Sequence, residues 1–300
     1  VEVSMDLGAG DDTVEMRSSA TAATDEIVLD GGDGDDTFDL DTGTNAMDLT
    51  AGTLTLSNFE ILAFNDDFNS NVSYAVLDGA LLRGTTLVLQ GDGDVADRVA
   101  VEHDSAGTYD YSTLSIDNTI AKAVGGLAVT GHTGNETITG SDGTDVIAGG
   151  TGNDTFNASG DNDDLDFDGG DDVYVATATG SANSGTQVSG AANEAAVLAL
   201  ATATTDTIAN FTDGTDLIDL TGLAAIDSNA AVNDGTGSAL AHAATALGDI
   251  HVTQGTTTAD AIVFVNTSGA TTTGYGDFEI AIYIVGGAAG TWTTADFVLS

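Results

Sequence analysis

The sequence has no cysteine and no proline, and only 4 lysines and arginines stand against 48 aspartates and glutamates. Without cysteine there is no disulfide framework and no thiol catalysis. Without proline the slow prolyl isomerisation of folding is missing too. Both absences suit a chain that crosses a channel unfolded and must fold quickly on the far side. The formal charge of −44 repels nucleic acid and anionic membrane surfaces and attracts divalent cations. No apolar run reaches the roughly 18 residues of a membrane-spanning helix, and nothing at the N-terminus reads as a signal peptide. Val1 is not a start methionine and residues 1–16 already read as repeat structure, so the expectation is a fragment or processed piece of a longer chain.

Catalytic signatures are equally scarce. None of the four histidines, His103, His132, His242 and His251, lies in an HExxH helix motif. The stretch GTGS at 235–238 is no GxSxG elbow. His132 falls in a turn and reads as solvated, His242 as a surface residue, and Tyr109 and Tyr111 as sheet packing. The chain is not expected to be an enzyme. With 41% hydrophobic residues it can build a core despite an acidity that often marks disorder. The expectation is order that depends on a bound cation.

What the sequence does contain is a nine-residue period. Residues 131–175 read GHTGNETIT, GSDGTDVIA, GGTGNDTFN, ASGDNDDLD and FDGGDDVYV. The sixth place is always acidic, at Glu136, Asp145, Asp154, Asp163 and Asp172. The eighth is always large and apolar, at Ile138, Ile147, Phe156, Leu165 and Tyr174. Such fixed-period similarity marks a solenoid. Six Gly- and Asp-rich residues make a turn, and the next three make a short strand whose eighth residue alone points inward. Two nonapeptides complete one coil, so Glu136, Asp154 and Asp172 should stack, as should Asp145 and Asp163. Stacked carboxylates about 5 Å apart repel by roughly 0.8 kcal/mol per pair in water, and more where water is excluded. A hard cation between turns reverses that sign. Calcium, with its many oxygen ligands and tolerance of irregular geometry, fits better than magnesium. An EF-hand is excluded: Asp164, Asp166, Asp168 and Gly169 match its first half, but its twelfth place falls on Val175.

These nonapeptides resemble the RTX (repeats-in-toxin) calcium β-roll of bacterial proteins exported by type I secretion. Two further copies lie near the start, GGDGDDTFD at 31–39 and LGAGDDTVE at 7–15. The resemblance implies calcium-binding turns with glycine carbonyls and acids as ligands. In the first part of the chain these are Gly8, Gly10 and Asp12, then Gly32, Asp33, Gly34 and Asp36. In the tandem block they are Gly134, Glu136, Gly140, Asp142, Gly143 and Asp145, then Gly149, Gly150, Thr151, Gly152 and Asp154. Asp161, Asp163, Gly169, Gly170 and Asp172 follow, and Asp206 extends the acidic ladder.

The fold expected is all-β: a right-handed parallel β-helix or β-roll solenoid with a mixed C-terminal cap. Residues 1–130 read as an irregular parallel β-helix, because their two nonapeptides begin 24 residues apart. Strands are expected at 5–7, 14–16, 27–29, 38–40, 47–49, 54–56, 59–62, 72–77, 86–89, 98–101, 109–114 and 127–130. Residues 131–175 form the calcium β-roll. Residues 176–300 form the cap and secretion-signal region, with a linker at 176–189, helices at 191–201 and 238–247, and strands at 250–253, 261–265 and 278–285. The segment 206–223 resembles the motif closing RTX rolls, with Phe211, Leu217, Ile218 and Leu220 over the core end. The terminal TTADFVLS, 293–300, resembles a type I secretion signal.

The function expected is that of a calcium-binding structural protein of a secreted bacterial surface assembly, such as a surface layer or filament, with calcium driving folding and assembly. The stretches 56–64 and 127–131 resemble segments that lead into RTX blocks of surface-layer proteins. The alternative is an export and folding module of a secreted protease, lipase or nuclease, or of an RTX adhesin. The partners expected are further copies of the chain, a cell-surface polysaccharide and the type I export machinery.

Overall fold

The structure, a computed structural model, describes residues 2–17, 26–41, 47–65, 74–91, 98–117, 126–157, 162–177, 206–212, 214–223, 232–234, 250–254, 260–265, 280–286 and 292–299. The chain divides into two compact units, one of Val1–His132 with Thr139–Val146 and one of Thr133–Ile138 with Ile147–Ser300. The nonapeptide block contributes residues to both.

In the first unit the chain winds through three parallel sheets. One orders the strands Glu2–Asp6, Glu26–Asp30 and Thr53–Ser57. A second orders Thr13–Met16, Thr37–Asp41, Ile61–Asn65, Val88–Gly91 and Ser115–Ile116. The third runs from Met47–Asp48 through Tyr74–Asp78 and Arg98–Glu102 to Leu127–Thr130. Side chains alternate across each strand, so every second residue meets its counterpart one coil away. Val14 pairs with Phe38 and Phe38 with Leu62; Val101 pairs with Leu77 on one side and Val129 on the other. Phe38, Leu62, Leu77 and Val101 are fully buried, each worth about 1.5–3 kcal/mol of burial. The first coil is less covered: Val3 is 37% and Met5 44% exposed.

Two local features depart from the strand reading. The chain between 79 and 82 forms a short helix, Gly79–Leu82, capped by Asp78, whose carboxylate accepts the Ala80 N–H at 2.9 Å. The reading of 109–114 as one strand is corrected to two, Thr108–Asp110 and Ser115–Ile116, because the intervening residues turn back, with Leu114 N–H on the Tyr111 carbonyl.

In the second unit the nonapeptide strands are three residues long where two tandem copies follow each other, as at Thr155–Asn157 and Asp164–Asp166. The next, Val173–Thr177, runs longer and pairs with Leu217–Gly222, which pairs with Phe297–Val298, all in parallel. On the other side Asp164–Asp166 pairs with Asp206–Ala209 and that with Ile280–Ile284. Beyond it Ala261–Val265 runs antiparallel to both Ile280–Ile284 and Ile250–Gln254, so the cap is mixed. Ile138, Phe156, Tyr174 and Ile218 are fully buried, and Phe156 stacks on Phe167 with centroids 4.8 Å apart.

The segment expected to close the roll instead adds another coil to it. Ile218 and Leu220 are buried, whereas Leu217, just before them and in register with Val173, faces the other way, half-exposed. Phe211 stacks on Trp292 at 5.1 Å. The terminal segment folds too: Phe297 is buried, and Thr293 and Asp296 cap a single turn of 3-10 helix, Thr294–Asp296. The helices expected at 191–201 and 238–247 and the linker at 176–189 lie largely or wholly outside the described residues, as does His242.

Candidate metal centre

Each nonapeptide turn ends in an acid just before its strand, and strand pairing places that acid beside its counterpart one coil on. The stacked acids do not face each other as bare charges. The carboxylate of each accepts the backbone N–H of the previous one. Asp154 Oδ1 accepts from Glu136 at 2.8 Å, Asp172 Oδ1 from Asp154 at 2.8 Å, and Asp216 Oδ1 from Asp172 at 2.9 Å. In the other column of this unit Asp206 Oδ1 accepts from Asp163 at 3.0 Å. In the first unit Asp36 Oδ1 accepts from Asp12 at 2.8 Å, Glu60 Oε2 from Asp36 at 2.7 Å, and Asp145 Oδ1 from Leu127 at 2.6 Å. Such charge-assisted bonds are strong, and they relieve the repulsion that the sequence spacing implied.

A second column runs the opposite way. The fifth-place side chain accepts the N–H of the fifth residue one coil later: Asn135 from Asn153 at 3.0 Å, Asn153 from Asp171 at 3.1 Å, and Asp11 from Asp35 at 3.1 Å. Neighbouring turns are therefore stitched in both directions.

The glycines make room for this stacking. Gly34, Gly152 and Gly170 have φ of 154°, 154° and 151°, a region that side chains avoid. A β-carbon there would strike the carbonyl of the turn below, from Gly10, Gly134 and Gly152 respectively. Gly32, at φ 100°, likewise faces the Gly8 carbonyl. Gly149 faces a carboxylate instead, its β-position lying 2.7 Å from Asp154 Oδ2. Gly8 and Gly10 share the positive φ but have nothing above them within 4 Å.

Burial strains these acids. It pushes the Asp145, Asp172 and Asp206 carboxyls up to about 6 and raises Asp154 and Asp216 as well. Amide donors oppose the shift in every case. Neighbouring acids add to it: Asp216, Asp154 and Asp168 around Asp172, and Glu136 beside Asp154. Such sites favour a cation that restores the ionised form.

The carboxylates differ in what remains open. Asp145 has both oxygens engaged, by Leu127, Ser141 N–H and the Ser141 hydroxyl. Asp206 Oδ2 takes the Tyr174 hydroxyl at 2.5 Å, and Asp216 Oδ2 the Thr212 N–H at 2.7 Å. Asp12 Oδ2 and Asp36 Oδ2 are buried with no hydrogen-bond partner. A buried carboxylate oxygen without a donor costs several kcal/mol unless a cation meets it, so these turns fit calcium. Among the described residues no three Asp, Glu or His side chains converge into a ready cluster. Turn carbonyls together with one carboxylate from each turn would make a hard oxygen set of the kind calcium takes.

The remaining residues implied by the resemblance fall around this frame. Asp33 and Asp142 are exposed and outside the ladder. Asp33 contributes backbone bonds to the Gly8 carbonyl and Gly10 N–H, and Asp142 Oδ1 accepts the Ile116 N–H at 3.3 Å. Thr151 and Gly169 bridge their turns through the backbone, Gly150 takes φ 85°, and Gly140 and Gly143 are buried. Asp161 lies outside the described residues. Glu60, Asp216 and the fifth-place column escaped the sequence reading. Their signal was an acid two residues before a buried apolar position, as in Glu60–Leu62 and Asp216–Ile218, and an Asn or Asp at each fifth place.

Of the histidines, His132 lies in the first tandem turn and His103 outside the repeats. His103 is buried, stacked on Tyr109 at 3.5 Å and bonded to the Tyr111 hydroxyl at 2.8 Å, and burial lowers its pKa to about 4. Both tyrosines are core residues. His132 is half-buried rather than solvated, its Nδ1 shielded from water. Among the described residues no helix is long and apolar enough to cross a membrane.

No curated protein matches the chain. A solved structure, the solution structure of the AlgE6R3 subunit from the Azotobacter vinelandii mannuronan C5-epimerase, is 21% identical over 57% of this chain and 76% of its own, with a TM-score of 0.35. The family model of the RTX calcium-binding nonapeptide repeat matches four copies, at residues 28–47, 130–165 and 139–174. Residues 28–47 and 130–174 are therefore RTX calcium-binding nonapeptide repeats.

Proposed function

We propose that the protein is a structural component of a secreted bacterial surface assembly, a layer or filament, in which calcium drives both folding and association. The observation that carries the reading is the ladder of buried acids: a chain of charge −44 holds carboxylates in its interior, and ionised they are stable there only with cations. A secreted chain meets calcium where it must fold.

His103 serves packing against Tyr109 and Tyr111. Self-association, a surface polysaccharide and the export machinery are the partners this reading calls for.

The test is electron microscopy and sedimentation of the purified chain, first in calcium and then in excess chelator. Ordered sheets or fibres in calcium that dissolve on chelation are expected. A chain that stays monomeric at millimolar calcium, or assemblies indifferent to chelator, would overturn the reading.

A further inference from the structure

The repeat turn at 31–36 has a nonapeptide turn on one side only. On that side Asp36 Oδ1 takes the Asp12 N–H. On the other side lies the segment 57–60, Ser-Asn-Phe-Glu, which belongs to no nonapeptide. The paired strands nevertheless hold it in register, Thr37 opposite Ile61, so Glu60 falls opposite Asp36. Three contacts fix it there. Glu60 Oε2 accepts the Asp36 N–H at 2.7 Å, the Asp36 carbonyl accepts the Glu60 N–H at 3.1 Å, and Gly31 N–H reaches the Ser57 carbonyl at 2.9 Å.

Asp36 is 0% exposed, and its Oδ2 has no hydrogen-bond partner. This oxygen lies 2.7 Å from the β-position that Gly31 leaves empty, and the Asn58 carbonyl borders the same space. Asn58 presents that carbonyl from a left-handed backbone, φ 53°, held by its Nδ2 on Asp30 Oδ1 at 2.7 Å. An orphaned carboxylate oxygen, a main-chain carbonyl and an exposed second carboxylate are thus gathered at one turn with no lysine or arginine in the contact set. All three are hard donors of the kind calcium takes.

We propose that Glu60 and the Asn58 carbonyl complete a calcium site with Asp36 outside the nonapeptide repeats, so that the ion ladder of the first unit extends one coil further than its repeats. The site rests on the calcium reading above. Glu60 does two things there: it accepts the Asp36 amide and it brings the second negative charge. Asp216 holds the corresponding place above Asp172, with both oxygens engaged by amides.

The test counts bound calcium on the full chain, stripped by chelator and titrated back, by native mass spectrometry and calorimetry. Glu60→Gln keeps an acceptor for the Asp36 amide and removes the charge. It should bind one calcium fewer than the parent chain, or bind that one at least tenfold more weakly, while Asp110→Asn, at an exposed acid outside the repeat turns, leaves the count unchanged. An unaltered count and affinity in Glu60→Gln overturns the site. A parent chain that binds no calcium overturns the reading beneath it instead. Should Glu60→Gln fail to fold, the amide resonances of Gly31, Asp36 and Asn58 in the parent chain decide. They shift together in a calcium step if the site is occupied, and their insensitivity overturns it.

Discussion

The Tyr174 hydroxyl donates to Asp206 Oδ2 at 2.5 Å, and both residues are buried. An inward-facing apolar column thus carries a polar tip that engages an acid of the ladder. Tyr174→Phe removes that donor and leaves a carboxylate oxygen buried without a partner. The expected loss is about 1–3 kcal/mol of stability, read as a lower urea midpoint at saturating calcium. The Asp206 carboxyl, already near 6, should rise further by carboxyl NMR.

Turn glycines divide by what lies above them. Gly170 sits at φ 151° with the Gly152 carbonyl where a β-carbon would go; Gly214 sits at φ 76° with nothing within 4 Å. Gly170→Ala should cost about 3 kcal/mol or more, since conformational strain and a backbone overlap act together. Gly214→Ala should cost only about 1–2 kcal/mol. Denaturation curves of the two variants at equal calcium give the comparison, and similar losses would contradict the stacking.

Calcium and protons compete for the same oxygens. In the calcium-free fold Asp145, Asp172 and Asp206 titrate near 6, above their ordinary value of 3.8. Groups raised in this way favour the fold most below 3.8 and lose that contribution as pH rises through about 6. Calcium needs the ionised form, so its effect runs the other way. The rise in Tm that calcium produces should be full at pH 7.5 and shrink below about pH 6 rather than near 4. Thermal melts with and without calcium across this range test it. A calcium increment unchanged down to pH 5 would be the wrong result.

The fifth-place column can be tested separately from the metal. Asn153 accepts the Asp171 N–H and donates its own N–H to Asn135. Asn153→Ala removes the acceptor while leaving every sixth-place carboxylate in place. A loss of about 0.5–1.5 kcal/mol is expected, with the calcium count by native mass spectrometry unchanged.

The tandem block was legible because one nonapeptide equals half a coil there, and residues 18 apart meet in space as at Asp154 and Asp172. Elsewhere the coil length changes. Asp12, Asp36 and Glu60 follow one another at 24 residues, a spacing that two nonapeptides alone do not reveal as a period, whereas Asp172 and Asp216 stand 44 apart. Strand pairing across the inserted chain sets their register, and that is a tertiary fact. The amides between the stacked acids were hidden for a different reason. Spacing alone shows that the acids stack, but not that a backbone amide lies between each pair. The short helix at Gly79–Leu82 was hidden because its Gly-Ala-Leu-Leu offers less than one apolar period.

The last residues of the chain are part of the packed body. Asp296 is buried, with its carboxylate on Gly214 N–H at 3.1 Å and Thr293 N–H at 2.7 Å, and Phe297 lies beside Ile218 in the sheet. Any receptor that reads 293–300 as a linear address therefore has a time limit. It can find that address only on a polypeptide that has not yet wound up, and completion of the last coil erases the message.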